Sequence, residues 1–247
     1  MSRSSVYDVA VLSDLRLYGG TAESMAEEVR AHAGAGFSTA LVHLRSTLIE
    51  GNAEVARPIR RCVSEGLADL VTGEPVRARL AVLRPPAAFS ERPPTPVSVR
   101  ADQVVMVADE VTDADGTPRY DPTQIAATVR DALGADAIWY PVDPRARRSL
   151  EQHVSAGITL AGEDWPSPID VGEWHVDRSG GVRGRPLIGR YGRAEAANWA
   201  DRSDETLGDR PDPDDARWIV EPFDAREPAD FFAEVDFYVH LPGSGWE

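Results

Sequence analysis

Tyr7-Asp-Val-Ala-Val-Leu-Ser-Asp14 is a short apolar run closed by polar residues, and Gly19-Gly20-Thr21 follows it ahead of a helical pattern. Met25, Val29 and Ala33 recur at helical spacing, Glu23, Glu27 and Glu28 take other faces, and Gly34 and Gly36 supply a stop. The stretch therefore reads as strand, glycine turn, helix. The next strand, Thr39 to Leu44, is nearly all apolar apart from His43, as expected of a strand covered on both faces. Strand, helix, strand in this order predicts an α/β fold with a Rossmann-like parallel sheet.

The alternation continues outward from that stretch. A helix is expected near Pro58 to Glu65, with Ile59, Cys62 and Val63 on one side, followed by short apolar runs at Ala68 to Val71 and Leu80 to Leu83. The cluster Pro85, Pro86, Pro93, Pro94 and Pro96 fixes extended backbone and removes amide donors, which predicts a rigid surface connector. Gln103 to Ala108 is another buried-type strand, and Asp121-Pro122 is a cap and first turn for a helix through Leu133. Ala137 to Tyr140 reads as a strand, and Asp143-Pro144 opens a further helix with Leu150 on its inner face.

From Ala156 to Arg185 glycines and prolines scatter among polar residues, as at a domain boundary. The pattern then restarts with strands at Pro186 to Gly189, Arg217 to Val220 and Val235 to Leu241, and with helical stretches after Arg193 and at Ala229 to Ala233. The expected domains are 1–185 and 186–247. The second has 62 residues with 6 arginines and 15 acids, a thin sheet whose exposed edge favours pairing with another copy of the chain.

With 247 residues and 42% hydrophobic content the chain can bury one large core or two modest ones, which excludes disorder as its main state. Every basic residue is arginine, 26 against 41 acids for a net charge of −15, and this excludes a general nucleic-acid or anionic-membrane binder. No long apolar run and no signal-peptide core are present, so a soluble cytoplasmic protein is expected. The lone Cys62 cannot form an intramolecular disulfide and reads as a small core-facing hydrophobe rather than a nucleophile. No set of Cys and His has zinc-site spacing, and no metal is expected.

The common catalytic signatures are absent: there is no phosphate-loop sequence, no G-x-G-x-x-G after a strand, no H-E-x-x-H and no G-x-S-x-G. No catalytic residue can therefore be assigned. His43 and His240 sit near the ends of candidate strands, the edge where open parallel sheets bind ligands, or else are structural histidines. Gly19, Gly20 and Thr21 lie between the first strand and first helix. They either let backbone and helix amides approach a phosphate or sugar oxygen, or form a tight turn with Thr21 as cap. In Pro186-Leu-Ile-Gly-Arg-Tyr-Gly-Arg193 a strand ends in glycine and places Arg190 and Arg193 in the following loop. These arginines either clamp a diphosphate or pair with the local acids.

Asp14 to Thr21 with its helix, Ile59-Arg-Arg-Cys-Val-Ser-Glu-Gly66, Trp139-Tyr-Pro-Val, Pro186 to Arg193 and Phe232 to Pro242 together resemble bacterial family 4-like retaining glycosyltransferases of the GT-B fold. The resemblance implies two Rossmann-like domains facing a cleft, an acceptor side in the first and a nucleotide-sugar donor site in the second. It also implies sugar transfer from a nucleotide-diphosphate sugar to a saccharide or other hydroxyl acceptor with retention, in glycan or cell-surface polysaccharide synthesis, with no cofactor and no bound metal. By position, Gly19 and Gly20 match the glycine loop at the cleft, with Thr21 and His43 on the same acceptor side, and Arg190 matches the diphosphate-contacting arginine. Asn198-Trp199-Ala200 stands where relatives carry a lysine near Trp-Pro, and Tyr191-Gly192 replaces their His-Ser.

Asp236 to Pro242 resembles the strand that in relatives leads to two glutamates, of which Glu247 would be the first. The donor domain is accordingly expected to be incomplete here, and residues 1–247 inactive or very weak alone. Two other readings remain open. A non-catalytic binding or assembly protein on the same fold would explain the altered Tyr191, Gly192 and Asn198. A flavodoxin-like nucleotide or flavin binder fits the alternation but leaves the restart after residue 185 unexplained.

Overall fold

A computed structural model describes residues 5–92, 98–113, 116–172, 175–176, 184, 186–192, 217–222 and 228–238. The chain divides into two units, the first running through Pro168 and the second beginning at Ile169, a division inside the glycine- and proline-rich stretch.

In the first unit, seven parallel strands form one sheet: β1 (Ser5–Ser13), β2 (Thr39–His43), β3 (Asp69–Val71), β4 (Val76–Leu83), β5 (Val99–Ala108), β6 (Ile138–Pro141) and β7 (Thr159–Leu160). Their spatial order is β3-β2-β1-β4-β5-β6-β7. Both faces of β1 are apolar, so the strand is driven to the centre, with Val9 opposite Thr39 of β2 on one side and opposite Leu80 of β4 on the other. Winding proceeds outward from β1 through β2 and β3, then restarts on its other side with β4, which makes the gap between β1 and β4 a topological switch point.

Alternate residues of the strands feed two separate cores. Val9, Val11, Leu41, Val82, Val105 and Val107 pack with Met25, Ala26 and Val29 of α1 (Gly20–Gly34) and with Ile59 and Cys62 of α2 (Arg57–Ser64). Ala10, Leu12, Leu83 and Met106 pack on the opposite face with Ile125 and Val129 of α3 (Pro122–Leu133) and Leu150 of α4 (Pro144–Glu151). Cys62 is fully buried, as a small core residue would be, and burial pushes its thiol pKa up.

The Asp-Pro signals work through the expected chemistry. Asp121 accepts from the Thr123 and Gln124 amides at 2.9 and 3.2 Å, and Asp143 from those of Arg145 and Ala146 at 2.7 and 2.8 Å. Helix α1 is different: its N-cap is Gly19, with φ +69° and no side-chain cap, while Thr21 lies inside the helix, so the reading of Thr21 as cap is corrected.

Further corrections follow from burial. Pro85 and Pro86 do not lie on the surface but are buried, and the 3₁₀ turn Pro86–Phe89 joins the core on the α3 face. Strands β4 and β5 start four residues earlier than their apolar runs. There the outward Arg77, Arg79, Arg100 and Asp102 break the apolar pattern of strands buried on one face only. Strand β7 falls inside the stretch read as boundary, because two residues leave no period to detect.

Among the described residues of the second unit there are three parallel strands, β8 (Leu187–Gly192), β9 (Arg217–Pro222) and β10 (Phe237–Tyr238), in the order β10-β8-β9; Phe231 of α5 (Pro228–Glu234) and Val235 just beyond it pack against Leu187. A glycine is needed at 189 for close approach: a β-carbon there would lie 2.6 Å from Phe231 Cζ and closer still to Val235 Cγ1. Among the described residues, no helix is long and apolar enough to cross a membrane.

Candidate functional site

The carboxyl ends of β1, β2 and β4 bring together residues far apart in the chain. Pairing of Ser13 with His43 sets the loops after β1 and β2 side by side. Asp14, immediately beyond β1, is fully buried and accepts five hydrogen bonds, from the Arg16 amide, Nε and Nη2 and from the Ser46 amide and hydroxyl. Arg16, 4% exposed, also donates to the Ser46 and Gly51 carbonyls. Burial alone would raise the Asp14 pKa, but the hydrogen bonds from Arg16 and Ser46 outweigh it and hold the carboxyl below its ordinary value. The pair with Asp14 raises that of Arg16. This staple makes the two loops one rigid rim.

His43 ends β2 in the same rim. Its Nδ1 accepts from the Leu15 amide at 3.2 Å, and burial lowers its pKa, so the ring is neutral with the proton on Nε2. Nε2 has no hydrogen-bond partner among the described residues, so it presents a donor. The Gly19–Gly20 turn leaves the rim at the start of α1; Gly19 is buried and Gly20 exposed, with open space where a β-carbon would stand. Gly19 gives α1 no side-chain cap, and the Glu23 amide donates to the Gly19 carbonyl at 3.1 Å.

A cavity of about 460 Å³ opens at this edge, between the loop after β1, the loop after β2 and the segment after the 3₁₀ turn. Arg16, Arg45, Ser46, Thr47, Glu91 and Arg92 line it with Ile49, Gly51 and Ala88, while Gly19, Gly20, Thr21 and His43 are not in its wall. Behind the switch point Arg84, just past β4, pairs with Glu28 of α1 at 2.6 Å and donates to Ser24, with both charged side chains buried. Asp109, just past β5, is 31% exposed, yet its Oδ1 is buried without a hydrogen-bond partner among the described residues. Burial of that oxygen is the main cause that raises its pKa to about 6, against the pull of Arg119.

In the second unit, Arg190 stands on β8 opposite Val220, because the strand continues through Gly192 rather than ending at Gly189. The expected loop position of Arg190 is corrected accordingly. Arg193, Asn198, His240 and Glu247 lie outside the described residues.

Sequence reasoning missed Asp14, Arg16, Arg84 and Asp109. A usable signal existed: Asp14, Arg84 and Asp109 each directly follow a buried-type strand, at the edge where such sheets hold ligands. Among the described residues, no three His, Cys, Asp or Glu side chains gather in a metal-binding group. No family model matches this chain, and no curated protein is significantly similar to it.

Proposed function

We propose that this protein is a retaining glycosyltransferase of the GT-B type, acting in the cytoplasm, that moves a sugar from a nucleotide-diphosphate sugar to a hydroxyl of a saccharide acceptor. The observation that carries this reading is the succession of two parallel α/β units in one chain, the first with its Gly19–Gly20 turn beside the β1/β4 switch point. It agrees with the motif resemblance.

In this reading Arg190, Arg193 and Glu247 of the second unit serve the donor, and Gly19, Gly20, Thr21 and His43 of the first face the acceptor. The bond between the anomeric carbon and phosphate breaks, and its electron pair leaves with the diphosphate, stabilised by arginine and helix amides. The acceptor oxygen attacks from the same face, and its proton passes to the departing phosphate. His43 acts as a positioning donor through Nε2–H; it is not a base, because Nδ1 is engaged by the Leu15 amide.

The test is a thermal-shift titration with nucleoside diphosphates and their sugar conjugates, on the full chain and on Arg190→Ala. A ligand that binds the native state raises the midpoint with its concentration. A shift specific to one nucleotide and lost in Arg190→Ala is expected. No shift at millimolar ligand overturns the donor assignment and leaves a non-catalytic binding protein.

A further inference from the structure

We propose that the cavity at the rim of the first unit binds an anionic sugar, one bearing a phosphate ester or a carboxylate. The cavity wall holds none of Gly19, Gly20, Thr21 and His43, so this site is separate from the acceptor residues named above and rests on the cavity alone.

Three arginines and one glutamate line the cavity of a chain whose net charge is −15, so the local sign opposes that of the molecule. The three arginines differ in what they can offer. Arg16 is neutralised by Asp14 and four of its five guanidinium N–H groups are engaged, so it shapes the wall rather than holding a ligand. Arg45 is fixed by donating from Nη2 to the Gly51 carbonyl at 2.7 Å and to Asn52 Oδ1 at 2.5 Å, both neutral acceptors. No carboxylate among the described residues forms an ion pair with it. Its guanidinium is therefore held in place with its charge uncompensated, the arrangement that suits a planar two-pronged contact with a phosphate or carboxylate. Arg92 adds a second positive charge to the same wall.

A bare anion would not need the rest of the lining. Glu91 repels an anion but accepts well from sugar hydroxyls, and the Thr47 hydroxyl can both donate and accept. A volume of about 460 Å³ falls within the range of small-molecule sites and exceeds what inorganic phosphate would fill. Arginine for the anion and a carboxylate with a hydroxyl for the ring define a sugar phosphate or a uronic acid.

Calorimetric titration of the full chain with glucose 6-phosphate, glucuronate, glucose and inorganic phosphate tests this, and the two charged sugars distinguish phosphate from carboxylate. At least one charged sugar is expected to bind, more weakly as salt is raised, with glucose at least tenfold weaker. Arg45→Gln is expected to lose about tenfold or more in affinity for the charged sugar while keeping the native thermal midpoint, since the side chain is exposed. Arg92→Gln provides a second, independent variant with the same expectation.

Equal binding of glucose and the charged sugars, no binding of either charged sugar, or full affinity in both arginine variants overturns the proposal. Inorganic phosphate binding as tightly as the sugar phosphate overturns its sugar part. Nucleotide binding without charged-sugar binding defeats this proposal alone. Charged-sugar binding without nucleotide binding defeats the glycosyltransferase reading and leaves the anion site standing.

Discussion

Replacing Asp14 by asparagine tests the rim from which the site is built. The carboxylate accepts five hydrogen bonds from Arg16 and Ser46 at 2.6 to 3.1 Å, at a position with no exposure. Asparagine keeps the shape but turns one oxygen into a donor that faces donors, and it leaves the buried Arg16 charge without a counter-ion. Breaking one side of a buried pair costs about 3 to 5 kcal/mol. For a domain of this size each kcal/mol moves the midpoint by about 2 to 4 °C, so Asp14→Asn should melt about 6 to 20 °C lower.

Calorimetry and urea unfolding followed by tryptophan fluorescence measure the loss at neutral pH. The pH dependence provides a second reading. Because the folded carboxyl titrates below its ordinary 3.8, its contribution is present above that value and disappears as pH falls through the folded-state pKa. The gap between wild type and Asp14→Asn should therefore close in acid. Arg16→Met alone should also destabilise, while the double variant should be milder than the sum, since neither partner is then left uncompensated. A loss below about 1 kcal/mol at pH 7 for Asp14→Asn, or additivity in the double variant, would refute the staple.

Three other outcomes follow from burial and packing. Asp109→Asn should stabilise the fold at pH 7.5: its folded pKa of about 6 lies above the ordinary 3.8, so its favourable contribution holds below about pH 4 and is lost as pH rises through 6. The shift sets a ceiling of about 3 kcal/mol, which 31% exposure reduces to about 1 to 2 kcal/mol, readable as a urea-midpoint difference that vanishes at pH 4. Arg84→Met should cost about 3 to 5 kcal/mol in urea unfolding by stranding buried Glu28, with partial recovery in the double variant carrying Glu28→Gln. Gly189→Ala should cost the second unit about 1 to 3 kcal/mol, seen as lost amide protection in Leu187–Gly192 and unchanged protection in β1 and β4.

Much of the sheet was legible because β1, β2 and β6 are short runs of apolar residues between turns, and because Asp121-Pro122 and Asp143-Pro144 announce helix starts by local chemistry. What local pattern cannot carry is strand order. The place of β4 beside β1, and with it the switch point, depends on contacts between residues some 70 positions apart, such as Ser5 with Val76. The first halves of β4 and β5 were hidden by outward arginines, and the buried Pro85–Pro86 by a composition that reads as surface.

The site divided in the same way. Gly19, Gly20 and His43 were visible as strand-end residues; the structure puts His43 at the end of β2 and Gly19–Gly20 at the start of α1, outside the wall of the cavity. Asp14 and Arg16 were not singled out, since their importance arises only when Ser46, 32 residues from Asp14, is brought against them by the β1–β2 register. Arg45 was equally hidden, because its neutral partners Gly51 and Asn52 become meaningful only once the cavity is seen.

The most direct test of the glycosyltransferase account is a calorimetric comparison, on the full chain, of a nucleotide-diphosphate sugar with the monophosphate of the same nucleoside. Arginine recognition of a diphosphate predicts that one nucleotide-diphosphate sugar binds about tenfold or more tightly than its monophosphate, the preference collapsing in Arg190→Ala. Equal affinity for the two, or no binding of any nucleotide-diphosphate sugar, would contradict it.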